Sequence, residues 1–179
     1  MRLAILLPIL LVLSYGQGMA QDAKQHQNEE IIEEASRFLS TTAESMAELM
    51  HILFRKHGAP SAYIRGEEFS LAVFGGIRFG KGELITPDGK VQWVKWRGGT
   101  LGIEAGMSDS RVFTLIYNLK DTDNLFSRFV SSAEGGVFVF GGISVAVMHQ
   151  GEEVVMAHMR AGRGIKIGVN IGSMKYRKW

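Results

Sequence analysis

The chain contains no cysteine and only three prolines among its 179 residues. Without cysteine there is no disulfide, no thiolate nucleophile and no thiolate-bound metal. Acylation of a cysteine at a cleavage site, the anchor of a lipoprotein, is excluded as well. Charge of one sign is scarce: a net charge of +2 at pH 7 gives no footprint for bulk nucleic-acid binding. Long apolar runs are also lacking, since no segment approaches the roughly 20 residues a membrane-crossing helix needs. A hydrolase elbow of the form Gly-x-Ser-x-Gly is missing, and no pair of carboxylates is spaced for a glycosidase. His149 and His158 flank a turn, but two histidines without a patterned carboxylate do not define a zinc site. No cofactor is expected.

What is present begins with Arg2, an apolar stretch from Leu3 to Leu13, and the small-residue pattern Gly18-Met19-Ala20. This order is that of a secretory signal peptide, with the cut expected after Ala20 and the periplasm as destination. A membrane anchor is the competing reading, but the run is about half the length required. About 160 residues then remain, enough to fold as one domain by core packing alone.

Gln21 to Asn28 is polar and reads as a disordered leader. From residue 29 to 57 a helical stripe follows: Ile31, Ile32, Ala35, Phe38, Leu39, Ala43, Met46, Leu49, Met50 and Leu53. Asn28 is a plausible cap, Arg55, Lys56 and His57 suit the last turn, and Gly58 with Pro60 stops the helix. Ser40-Thr41-Thr42 is a place for a bend.

From Ser61 onward the pattern changes to short alternating runs divided by glycines and turns, the clearest turn being Pro87-Asp88-Gly89-Lys90. The chain has 22 glycines, many inside these runs. Glycine within a strand marks a bend or a close backbone approach, and repeated bends suit a tightly coiled sheet. The fold expected is therefore mainly β: a small glycine-rich antiparallel β-barrel over 61–176, with one long amphipathic helix over 29–57 packed against it. An outer-membrane barrel fits poorly, because Arg177 and Lys175 would face lipid on the terminal strand. A glycine-rich phosphate cradle at Gly162, Gly164 and Gly168 lacks the required spacing.

Several segments carry a family resemblance. They are His57-Gly58-Ala59-Pro60-Ser61-Ala62-Tyr63-Ile64-Arg65-Gly66-Glu67-Glu68, Gly76-Ile77-Arg78-Phe79-Gly80-Lys81-Gly82-Glu83-Leu84 and Val94-Lys95-Trp96-Arg97-Gly98. Val112 to Leu119 and Arg160 to Gly172, closing on Lys175-Tyr176, complete the set. In this order the chain resembles the envelope integrity protein A family of small secreted proteins, departing from its pattern between Val130 and Glu134. The resemblance implies a periplasmic barrel preceded by a helix and a role in withstanding envelope stress, with no catalytic activity, cofactor or ligand attached.

For binding, the residues themselves single out Arg160, Arg163 and Lys166, close in sequence among glycines; arginine recognises phosphate and carboxylate by paired hydrogen bonds. Beside aromatics such as Trp96, Phe79 and Phe138, such a cluster suits an amphiphile with its anionic head at a basic rim. A solvated strand end and plain core packing are the competing readings. Glu104, within a strand-like run, needs a partner if it points inward. The expected partners are an envelope lipid or glycan intermediate, or an envelope protein. The function expected is non-catalytic support of the envelope by binding such a component. The alternatives are a filled barrel that docks a protein through its helix and, last, an envelope hydrolase.

Overall fold

The structure is a computed structural model and describes residues 25–72, 76–101, 106–126, 128–131, 137–151, 154–162 and 171–179. The expected signal peptide, Glu104, Arg163 and Lys166 lie outside the described residues.

Two helices replace the single helix expected over 29–57. The first, α1, runs over 25–39, and the second, α2, over Ala43–His57. Helical chain thus begins inside the stretch read as a disordered leader, and Asn28 is within α1 rather than capping it. The break falls at the Ser-Thr-Thr segment. Ser40 takes a left-handed backbone (φ 56°), and Thr42, extended, caps α2 by accepting the Ser45 N–H at 3.2 Å. At the other end Gly58 (φ 80°) returns its N–H to the Phe54 carbonyl at 2.8 Å.

Among the described residues nine strands form one sheet: β1 (Ala62–Ala72), β2 (Gly76–Ile85), β3 (Val91–Leu101), β4 (Gly106–Tyr117), β5 (Arg128–Ser131), β6 (Val137–Phe140), β7 (Ile143–Gln150), β8 (Val154–Gly162) and β9 (Ile171–Lys178). Their order is β5-β9-β3-β2-β1-β4-β8-β7-β6, with every pairing antiparallel. Because β5 pairs with both β9 and β7, the sheet closes on itself as a barrel. A 3-10 helix, Thr122–Phe126, connects β4 to β5, with the Asp121 carboxylate accepting the Asp123 N–H.

Several strands run longer than the glycine punctuation suggests. Gly80-Lys81-Gly82 lies inside β2, and Ser108-Asp109-Ser110, a turn-like triplet, lies inside β4. The physical reason is that these glycines are bends, not ends. Gly66 faces Gly82 across β1 and β2. A Cβ on Gly66 would stand 2.2 Å from the Lys81 carbonyl oxygen, and one on Gly82 would stand 2.3 Å from that of Arg65. Only glycine lets the wall fold this sharply.

Strand alternation sorts side chains into two apolar layers. Ala62, Ile64, Leu84, Val94, Val112, Ile116, Phe129, Met156 and Met174 pack inside the barrel. Phe113, Leu115 and Tyr117 of β4, Val145 and Val147 of β7, and Val155, Ala157 and Met159 of β8 point outward. There they meet Ile31, Ala35 and Leu39 of α1 and Met46, Leu49, Met50 and Leu53 of α2. Arg111 fixes the helix break to β4 by donating to the Phe38 carbonyl at 3.2 Å and the Ser40 hydroxyl at 2.6 Å. The helical stripe is therefore covered by the barrel.

Candidate functional site

The alternation that places Ile64 inside the barrel also places Glu68 there, 2% exposed. A buried carboxylate needs partners, and two strands supply them. Trp96 Nε1 on β3 donates to Glu68 at 2.8 Å. From β8, Arg160 Nη1 donates at 3.2 Å and His158 Nε2 stands 3.3 Å away. His158 Nδ1 lies 2.9 Å from the Thr114 hydroxyl. A neutral imidazole with its proton on Nε2 accepts from Thr114 at Nδ1, while Nε2 stands close to the carboxylate without hydrogen-bond geometry. The Tyr176 ring packs 5.6 Å from the Trp96 ring.

Burial alone would raise the Glu68 carboxyl. The His158 imidazole and the Arg78 and Arg160 guanidiniums outweigh it and hold that carboxyl well below the usual range. Burial pushes His158 down, and the Glu68 carboxylate only partly offsets that. The cluster is thus an ionised carboxylate in a cage of N–H donors, and it orients the Trp96 indole. Among the described residues, no group of histidines and carboxylates is arranged to hold a metal ion.

A cleft of about 1240 Å³ opens beside the cluster, lined by Trp96 and Glu68 together with residues of the wall's outer surface. Gly80 makes room for Trp96, since a Cβ there would stand 2.1 Å from its Cε2. Strand register sets the rest. Phe79 lies beside Arg97, and Arg97 beside Lys175, across β2, β3 and β9. One step along, Lys81, Lys95 and Arg177 stand opposite one another. Phe69 pairs with Phe79, and both are exposed, at 39% and 53%. The Trp179 ring lies 5.9 Å from the Lys81 ammonium and 5.8 Å from that of Lys95.

The residues singled out from sequence scatter across this architecture. Trp96 and Phe79 line the cleft. Arg160 lies inside the barrel with its guanidinium on Glu68. Phe138 packs against the helix-covered layer. His158 and His149 face opposite sides of the wall. His158 pairs with Ala146 and faces inward, whereas His149 pairs with Val155, whose side faces the helices. Sequence reasoning passed over Glu68 and the cationic rows. The signal for Glu68 was the alternation Ala62, Ile64, Gly66, Glu68, Ser70. The rows had no local signal, because their members come from three separate strands.

A closed, glycine-bent antiparallel barrel, helix-covered on one flank and open to a basic aromatic cleft on the other, defines a small β-barrel module. The profile of the family described as envelope integrity protein A matches residues 24–179, and the chain belongs to that family. The structure is similar to the crystal structure of a beta-barrel-like, uncharacterized protein from Brucella abortus, with a TM-score of 0.70 and 34% sequence identity. That likeness covers 85% of this chain and 93% of the other. No curated protein matches significantly. Among the described residues, no helix is long and apolar enough to cross a membrane.

Proposed function

We propose that this protein supports the cell envelope from the periplasm, without catalysis, by holding an amphiphilic or anionic envelope component in the cleft. Membership of the envelope integrity family supplies the setting. The observation that carries the binding reading is the cleft's composition: Phe69, Phe79 and Trp179 beside Lys81, Lys95, Arg97, Lys175 and Arg177, with Glu67 and Asp109 on the β1–β4 side. Aromatic surface takes up the apolar part of a ligand, and the cations meet its charge. This moves the basic rim from the Arg160 segment to β2, β3 and β9, since the Arg160 guanidinium is held by Glu68. In this reading residues 1–20 direct export and are removed after Ala20.

Mass spectrometry of organic extracts from gently purified protein tests the ligand. A co-purifying anionic amphiphile that is lost from Arg97→Glu is the expected result, and extracts with none would overturn the binding reading. Deletion of the gene is expected to sensitise cells to detergent and cell-wall antibiotics. Unchanged sensitivity would remove the envelope role.

A further inference from the structure

We infer that the open flank of the barrel, the outer face of β1, β2, β3 and β9, docks on the surface of an anionic lipid bilayer. This rests on the cleft reading above and names the state of the ligand: a lipid surface, not a single extracted molecule.

Two observations on the same face carry it. The first is like charge in register. Lys81, Lys95 and Arg177 are directly opposed across three neighbouring strands, with Glu67 of β1 opposite Lys81 on its other side, and Arg97 and Lys175 are opposed in the next row. Cross-strand neighbours of one sign repel. Among the described residues none of these five forms an ion pair. The neighbouring row of β1 and β2, where α1 reaches the wall, does the opposite: there Arg65 is neutralised by Glu34 and Glu83. An anionic surface relieves the repulsion of all five cations together.

The second is apolar exposure next to the cations. Toward the β1–β2 connection, Phe69 faces Phe79 and Leu71 faces Ile77. Leu71 is 45% and Ile77 54% exposed, and all four side chains share the outward side with the cation rows. Exposed apolar groups in a contiguous patch mark an interaction surface. Apolar groups ahead of a bank of lysine and arginine are the arrangement that enters the headgroup zone of a membrane while the cations meet lipid phosphates. A soluble polyanion has no use for the Leu71 and Ile77 pair, so the lipid surface is the occupant favoured.

The test is sedimentation of the purified protein with vesicles of phosphatidylcholine, with and without about one-third phosphatidylglycerol. Binding is expected only with phosphatidylglycerol, and is expected to be lost in ~1 M salt, where screening acts beyond ~3 Å. Lys95→Glu with Arg177→Glu is expected to weaken binding by roughly tenfold or more, whereas Lys56→Glu, on α2, leaves it unchanged. Phe79→Ser with Ile77→Ser is expected to weaken it while the melting temperature stays near that of the parent. Equal binding by that apolar variant would overturn docking in favour of adhesion by charge alone. A parallel titration uses monomeric dihexanoyl phosphatidylglycerol. Binding to the monomer but not to vesicles overturns the surface inference and leaves the cleft reading standing; binding to neither removes both.

Discussion

The two flanks of the barrel wall are made of the same sheet yet treat their outward side chains in opposite ways. On β4, β8 and β7 the outward residues are apolar, and α1 and α2 cover them. On β2, β3 and β9 the outward residues include Lys81, Lys95, Arg97, Arg177, Phe79 and Trp93, and these remain exposed. The covered flank serves stability, because burying a leucine or methionine side chain contributes about 1.5–3 kcal/mol. The bare flank carries no such load and keeps features that stability alone would not select: like charges in register and aromatic rings in water. Between the two, the Glu68 cluster ties β1, β3, β4 and β8 together across the interior.

The largest expected effect comes from Gly82. It sits on the bare flank but shapes the whole barrel, because its Cα side is closed by the Arg65 carbonyl. Gly82→Val forces a backbone to move where no flexible side chain can yield, and overpacking of this kind costs about 3 kcal/mol or more. No folded, soluble protein is the expected outcome, read by yield and near-UV circular dichroism. A folded Gly82→Val protein would mean that the wall is not held by this contact.

Next in size is the covered flank. Leu49 is fully buried between α2 and the barrel. Leu49→Ala is expected to lower the unfolding free energy by about 2–5 kcal/mol in a denaturant titration. A loss under about 1 kcal/mol would place the helix layer outside the cooperative unit and erase the contrast between flanks.

How much of this was legible in the chain depends on whether the information was local. The Gly58 stop and the change to β pattern after Ser61 are local signals, and both are where the sequence places them. The helix break was visible only as a Ser-Thr-Thr segment, because the apolar stripe continues across it: Leu39 before the break and Met46 after it both face the barrel. Glycines misled at strand ends, since a glycine that ends a strand and one that bends it look alike until its partner is known. Glu68 was hidden for a related reason. Glu67-Glu68 reads as a charged pair ahead of a strand, and only pairing with β2 and β4 sets which of the two faces inward. The cation rows were beyond reach, because Lys81, Lys95 and Arg177 meet through antiparallel register alone.

The interior cluster makes stability depend on pH in one direction. His158 is held below its ordinary value of 6.5 in the folded protein by burial. The unfolded chain therefore takes up that proton first, and stability falls as pH drops below about 6.5, by up to ~1.4 kcal/mol per pH unit. Glu68, also held low, adds a second decline as pH falls below its ordinary 4.5. His57, lowered by burial and by Lys56, contributes in the same direction as His158. Urea titrations at neutral pH and near pH 5 are expected to show the decline, and His158→Gln to flatten most of it. An unaltered slope in that variant would mean that His158 is protonated in the fold.

The smallest expected effect sharpens the contrast most. Lys95 stands between Lys81 and Arg177, so replacing it removes two unfavourable neighbours. Like-charge opposition of this kind amounts to a few tenths up to ~1 kcal/mol. Against that, the substitution gives up the Lys95 contact with the Trp179 ring at 5.8 Å, a contribution of about 0.5–1 kcal/mol at an exposed site. Threonine also suits a strand better than lysine. The sum places Lys95→Thr within about 0.5 kcal/mol of the parent, with any gain shrinking as salt screens the remaining charges. The measurement is the denaturant midpoint in low and high salt. A loss above ~1 kcal/mol would show that the fold itself needs this lysine, and the bare flank would then be part of the scaffold, no longer a surface kept for a partner.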